Sequence, residues 1–322
     1  MERFVIVRSN RLNAFGTKLN SDVCRVVNMF SDKNCIQKIE KEIKLFVHIS
    51  LPDKIFNQEL VGVEEENIII FDGHVRIEFL SWIRRNNPKK RIILWLWNTV
   101  DEVKKNLKLE NVPKGIEIWS YSKYDCEKYK INYNTTFFWE KQKKAEGEIT
   151  QDLYFVGKDK GRLQKVKHID SICRKKGIDF TYHVTKTHKY SLPSREYQGY
   201  ISYSEVQKNI VASKAILDIQ VSKTAGPSLR ALEAVFYNKK LLTDDKNVKT
   251  FKFYNKQNIF IIDEDDWDNL NEFLDSPVLP VKEEDIEYYN VKNWLSRFGS
   301  IGEKRNAQGN ANSAGFLSGS VR

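Results

Sequence analysis

Cysteine is scarce, with four in 322 residues. Cys24, Cys35, Cys126 and Cys173 form no Cys-x-x-Cys pair and no compact disulfide framework, a usage that suits a reducing cytosol. The five histidines are scattered, and His183 and His188 have no matching ligand cluster, so no metal site is expected. No apolar run reaches the ~18 residues of a membrane span, and the N-terminus carries no signal-peptide pattern. The expectation is a soluble cytoplasmic protein, with peripheral contact to the inner face of an anionic membrane left open. Neither the dinucleotide fingerprint GxGxxG nor a Walker A loop occurs, and no RRM, OB or zinc signature appears.

Apolar material is plentiful, at 41% hydrophobic and 12% aromatic, enough for real cores. One domain usually takes roughly 100–200 residues, so the length accommodates two. The net charge is +10, from 53 Lys and Arg against 43 Asp and Glu. Such a balance attracts phosphate on a nucleic acid, a lipid headgroup or a nucleotide without choosing among them.

Short buried-strand patterns recur at Phe4–Val7, Leu45–Ile49, Ile68–Phe71, Ile92–Leu96 and Ile116–Trp119, with helical stretches at Val75–Asn86 and Val100–Asn106 between them. The rhythm restarts at Leu153–Val156, Phe180–Val184, Ala215–Ile219, Lys240–Leu242 and Ile259–Ile262, with helices at Gly161–Lys175, Ser204–Ala212 and Ser228–Tyr237. Strands alternating with helices imply parallel sheets with crossover helices. The fold class expected is α/β, two Rossmann-like domains facing a cleft. The boundaries read 1–140, a charged linker at 141–150, 151–302, and a flexible Asn, Gly and Ser rich tail at 303–322.

Three places carry candidate chemistry. Phe155–Arg162, with Gly157, Lys160 and Arg162, follows a strand and opens a helix, where glycine, cations and free amides favour a phosphate. The plain alternative is a basic strand-to-helix turn. Ala225–Ala234 reads AGPSLRALEA; Pro227 or Ser228 starts a helix whose free N–H groups can bind a diphosphate without a metal. Glu233 lies between one and two turns further on, where it could accept from a ribose diol. Leu229, Leu232, Val235 and Phe236 fill the packing face, which leaves Arg230 and Glu233 unexplained by packing. Third, the strand Ile68–Phe71 runs into Asp72-Gly73-His74. Strand carboxyl ends line ligand sites in open α/β sheets, and Asp72 or His74 could serve as a base, or merely cap the next helix. Arg8 and Arg11, in the basic loop Arg8–Gly16, are candidates for contact with an acceptor or donor phosphate, or plain solvated loop cations. Trp95 and Trp97 read first as strand core, and the cations and tyrosines of Tyr121–Tyr133 as a sugar or nucleic-acid surface.

Phe155–Arg162, Tyr203–Val206, Ile216–Ile219, Gly226–Ala234 and Lys239–Thr243 together resemble the donor domain of GT-B glycosyltransferases of bacterial capsule and lipopolysaccharide assembly. Leu94–Asn98 and Ile118–Asp125 resemble the same group, so the likeness runs from about Ile68 to about Ile262. It implies a nucleotide-diphosphate sugar as co-substrate with no other cofactor, and a glycan or lipid-linked oligosaccharide as acceptor. Lys160 and Arg162 would meet the pyrophosphate, the Ser228 and Leu229 amides would assist, and Glu233 would hold the ribose. Retaining members of the related superfamily carry two glutamates eight positions apart. The position eight before Glu233 is Ala225, so the stereochemical outcome stays open. No nucleic-acid partner is expected, although the charge keeps a nucleic-acid-binding protein as the rival, beside a Rossmann module that binds a nucleotide without turnover.

Overall fold

The computed structural model describes residues 3–9, 19, 24–31, 50–73, 75–140, 147–187, 195–222 and 226–299. The strand expected at Leu45–Ile49, most of the linker (141–146), His74, Arg11 and the 303–322 tail lie outside them. The chain divides into two compact units, Met1–Thr135 with Val291–Arg322, and Thr136–Asn290.

Among the described residues the first unit holds six strands: β1 (Phe4–Arg8), β2 (Cys24–Asn28), β3 (Asn67–Phe71), β4 (Arg91–Leu96), β5 (Ile116–Ser120) and β6 (Asn132–Tyr133). They pair parallel throughout in the order β2-β1-β3-β4-β5-β6. Continuous β-branched runs form the middle strands because a parallel sheet is covered on both faces. One face packs Val5, Val7, Ile68, Ile70 and Leu94 against Phe79, Leu80 and Ile83 of the helix Ile77–Asn86. The other is aromatic. Trp95 meets Trp294 at 5.2 Å and Trp119 meets Phe298 at 4.8 Å between ring centroids. Trp294 and Phe298 belong to the helix 291–299, whose carbonyls at those two residues accept from Asn134 Nδ2 at 3.0 Å and Arg91 Nη1 at 2.8 Å. Val291 onward is grouped with the first unit. Without that helix the Trp95 and Trp119 face would lie open to water.

The second unit holds β7 (Gln151–Lys158), β8 (Phe180–Thr185), β9 (Ser213–Asp218), β10 (Lys240–Thr243) and β11 (Ile259–Ile261). These too are all parallel, in the order β11-β10-β9-β7-β8. The helix Leu163–Lys175 lays Leu163, Val166, Ile169 and Cys173 on this sheet, a stripe at helical spacing. Cys24, Cys126 and Cys173 are free thiols.

In each sheet the strand order reverses beside the unit's first strand, so a topological switch point lies between β1 and β3 and another between β7 and β9. Loops leaving those strands at their carboxyl ends diverge to opposite faces and open a crevice there. All three sequence candidates fall on such loops.

Candidate active site

In the second unit, the turn from β7 into the helix Leu163–Lys175 is shaped by left-handed backbone at Lys160 (φ 43°) and Gly161 (φ 83°). The Lys160 amide donates to Thr187 Oγ1 at 2.8 Å, and its side chain is exposed. Asp159 caps the helix, with Oδ1 accepting from the Leu163 amide and Oδ2 from the Tyr197 hydroxyl, both at 2.8 Å. Burial pushes the Asp159 carboxyl up, but these bonds outweigh it and hold the group below its usual range. The first amide of this helix is thus already taken by the chain's own carboxylate.

Arg162 has a structural duty that the sequence does not show. Its Nε donates to Asp159 O at 3.2 Å, Nη1 to Ile219 O at 2.9 Å, and Nη2 to Lys158 O. The guanidinium ties the turn after β7 to the start of the loop after β9, and burial lowers its pKa. It also explains Gly157. A Cβ there would stand 2.8 Å from Arg162 Nη2, so this position needs to be small beneath a tied side chain. Gly157→Ala is expected to displace the brace and destabilise the fold by about 1–3 kcal/mol, the usual cost of overpacking. The check is a lower urea midpoint at unchanged slope.

The β9 loop reaches the helix Leu229–Phe236 through Gly226 and Pro227, whose carbonyl accepts from Thr136 Oγ1 at 2.6 Å. Ser228 is the N-cap: its Oγ accepts from the Ala231 amide at 3.0 Å and its hydroxyl bonds Asp218. The Leu229 and Arg230 amides lie in the first turn, where a helix offers no internal acceptor.

Glu233 is wholly buried. Its Oε1 accepts from Tyr203 at 2.9 Å, and Oε2 pairs with Arg230. Burial raises the Glu233 carboxyl to about 7, against the opposing pull of Arg230 and Tyr203. Tyr203 is itself packed on Trp139, ring centroids 5.5 Å apart. Arg230 and Glu233 therefore face each other rather than a ligand in this state.

No role follows from the sequence for a set of aspartates that the structure places at the carboxyl ends of β9 and β10. No DxD motif falls at a plausible strand end, although Asp244-Asp245 and Asp263–Asp266 exist, and Asp218 reads only as part of its strand. Asp218, buried and raised to about 6 by desolvation, accepts from Gln220 Nε2 at 2.9 Å. Asp244 accepts from the Gln220 amide at 2.7 Å and pairs with Lys165 at 2.9 Å. Asp245, raised to about 6 by burial, accepts from the Asn247 amide at 2.9 Å and keeps a buried, unpartnered Oδ2. The available signal was position: each is the last strand residue or follows within two of it. The acidic run at 263–266 serves its turn, with Asp265 Oδ2 accepting from the Ile261 amide at 2.7 Å and Asp266 Oδ1 from the Asp268 amide at 3.0 Å.

In the first unit, Asp72 follows β3 beside the β1/β3 switch point. It is 7% exposed. Its Oδ2 accepts from both the amide and the Nδ2 of Asn98, each at 3.0 Å, while Oδ1 is buried with no hydrogen-bond partner among the described residues. Burial raises the carboxyl to about 6, although the Asn98 bonds oppose the rise. One anchored oxygen and one unengaged oxygen of raised basicity is an arrangement suited to accepting a proton. Trp95 is buried core, whereas Trp97 is half-buried and stacks on Phe71 at 5.9 Å. The cations near Tyr121–Tyr133 lie largely over their own tyrosines, Lys104 and Lys128 over Tyr129 at 4.1 and 5.2 Å.

No protein-family model and no curated protein matches the chain. Solved structures do. The DNA-modifying enzyme β-glucosyltransferase, studied with and without its substrate uridine diphosphoglucose, superposes with a TM-score of 0.50 at 12% identity, over 92% of this chain and 98% of that one. Sucrose-phosphate synthase of Thermosynechococcus elongatus superposes with a TM-score of 0.51 at 7% identity, over 96% and 100%. At such identities the likeness concerns architecture, and it extends over nearly the full length of both. With its two parallel sheets and covering helices, the chain has the α/β fold of GT-B glycosyltransferases.

Proposed function

We propose that this protein transfers a sugar from a nucleotide-diphosphate donor, bound by the second unit at the β7/β9 switch point, to a hydroxyl of a glycan acceptor. The observation that carries the reading is the capped start of the helix Leu229–Phe236, which opens at that switch point beside the turn braced by Arg162. Two first-turn amides and the positive end of the helix dipole suit a diphosphate. Arg230, one residue further in than Leu229, adds a cation. In this reading the diphosphate draws Arg230 away from Glu233, and the freed carboxylate turns to the ribose diol.

Lys160 contributes charge at the rim, and Arg162 acts by holding both loops in place. Asp72 takes the proton of the acceptor hydroxyl as the anomeric bond breaks. The amides and Arg230 stabilise the departing diphosphate, so the chemistry calls for no divalent ion. The acceptor proposed is a surface glycan, lipid-linked at its far end. Among the described residues no helix is long and apolar enough to cross a membrane, and the +10 charge supplies the attraction to anionic headgroups.

The test is thermal stability against nucleotides and nucleotide sugars. One nucleoside diphosphate and its sugar conjugates are expected to raise Tm selectively; at 100 times Kd the stabilisation amounts to about 2.7 kcal/mol. Absence of any shift at millimolar ligand would remove the donor site. Strong, salt-dependent retention on random DNA would instead favour the nucleic-acid reading that the charge also permits.

A further inference from the structure

Arg8 is the last residue of β1, at the first unit's switch point. Its Nε and Nη1 are buried and have no hydrogen-bond partner among the described residues. Burial alone acts on the guanidinium, lowering its pKa, with no carboxylate opposing it. Each of the other cations built into this sheet has an acid: Arg25 pairs with Glu65 at 2.7 Å and Arg91 with Glu117 at 2.8 Å. Arg8 as a whole is half-buried, and a cation with two nitrogens out of water and no acid beside it is a costly feature of a kind found mainly at functional sites.

The surroundings say what kind of group it awaits. β1 and β3 run in parallel register, Val7 beside Ile70, so the next pair sets Arg8 beside Phe71 on one face of the sheet. Asp72 falls on the opposite face, which agrees with its having no part in the Arg8 electrostatics. Phe71 in turn stacks with Trp97, ring planes 23° apart, and meets Trp294 edge-on at 6.3 Å. Trp97 is half-buried, so part of its ring reaches solvent. A guanidinium without an anion among the described residues thus lies on the same face as a supported indole two strands away, with Phe71 of β3 between them. A guanidinium offers paired donors to a planar or tetrahedral oxyanion, and an indole face offers an apolar bed for a sugar ring.

We infer that Arg8 and Trp97 form a subsite for an acidic saccharide, the guanidinium taking its phosphate or carboxylate and the indole its ring. This rests on the sugar-transfer reading in one respect only, that the occupant is the acceptor. The acceptor is then an acidic glycan, and Asp72 works on its hydroxyl from across the same sheet edge.

The experiment titrates the full chain with glucose 1-phosphate, glucuronate and glucose, read by tryptophan fluorescence. The expected result is that at least one charged sugar binds about tenfold or more tightly than glucose, as a charged hydrogen bond allows. Which of the two binds better tells phosphate from carboxylate. Arg8→Met abolishes the preference and, by removing an uncompensated buried charge, leaves the ligand-free Tm equal or higher. Trp97→Phe weakens all three sugars and lessens the signal. Nucleoside diphosphate stabilisation is the same in wild type and Arg8→Met. The inference is overturned by equal affinity for the three sugars, by a preference that survives Arg8→Met, or by a lower ligand-free Tm, which would make Arg8 structural. Loss of nucleotide stabilisation in Arg8→Met would also overturn it, by assigning Arg8 to the donor. If wild type binds the charged sugars but no nucleotide, the donor reading fails while the anion subsite stands.

Discussion

Asp72→Asn is expected to lower turnover by about 10²–10⁴-fold, the usual contribution of a positioned base, while the folded protein becomes no less stable. Both Asn98 bonds fall on one oxygen, Oδ2, and an asparagine carbonyl can accept both. What disappears is the buried charge. The carboxyl stands at about 6 in the fold against a usual 3.8. A raised carboxyl opposes folding fully above its folded pKa, and the penalty fades as pH falls through the window from about 6 to 3.8. Asp72→Asn should therefore raise stability at pH 8 by about 1–3 kcal/mol and have little effect near pH 4. The wild-type rate should fall as pH drops through about 6, where the base becomes protonated. A variant that loses both activity and stability at pH 8 would place Asp72 in the architecture instead.

Glu233→Ala has the largest expected effect on folding. The side chain is completely enclosed, and its Arg230 partner is 17% exposed. Removing it strands a mostly buried guanidinium and the Tyr203 hydroxyl, a loss of about 3–5 kcal/mol. That is a large part of the roughly 5–15 kcal/mol holding a typical protein together. Glu233→Gln keeps the volume and an acceptor for Tyr203 at 2.9 Å but sets an amide NH2 against Arg230, so it recovers only part of that loss. Glu233→Gln is expected to have a urea midpoint between those of Glu233→Ala and wild type and to lose most of the nucleotide stabilisation. A large loss of stability in Glu233→Gln, with nucleotide binding intact, would make the carboxylate purely structural.

Much of this architecture could be read from the chain. Runs such as Ile68–Phe71 and Ile92–Leu96 are continuous and β-branched because both faces are buried, and each became the body of a strand. β2 escaped because it is an edge strand whose Arg25 and Asn28 are exposed or half-exposed, so its apolar positions are interrupted. β6 is two residues long and carries no pattern. The helix Lys123–Tyr129 is polar, and its start depends on a Ser122 cap accepting from the Asp125 amide. In the site, the loops were legible because glycine and a helix cap have local signatures. Partnerships were not. Nothing in the spacing of Arg162 tells that it is spent on three carbonyls, or that Arg230 and Glu233 enclose each other. The Arg162 bond to Ile219 depends on strands β7 and β9 lying side by side, and adjacency in the sheet leaves no trace at this separation in sequence. Arg230 and Glu233 stand three apart on one helix, and what the spacing hides is the complete burial of Glu233. The contact of Trp294 with Trp95, nearly 200 positions earlier, is likewise invisible to spacing.

Amide hydrogen exchange, with and without the nucleoside diphosphate that stabilises the protein, addresses the central claim most directly. The account predicts slowed exchange in the turn from Gly157 to Leu163 and at Leu229 and Arg230, with Asp72 and its neighbours unchanged until acceptor is added. Protection confined to the first unit, or none at the start of the helix Leu229–Phe236, would contradict it.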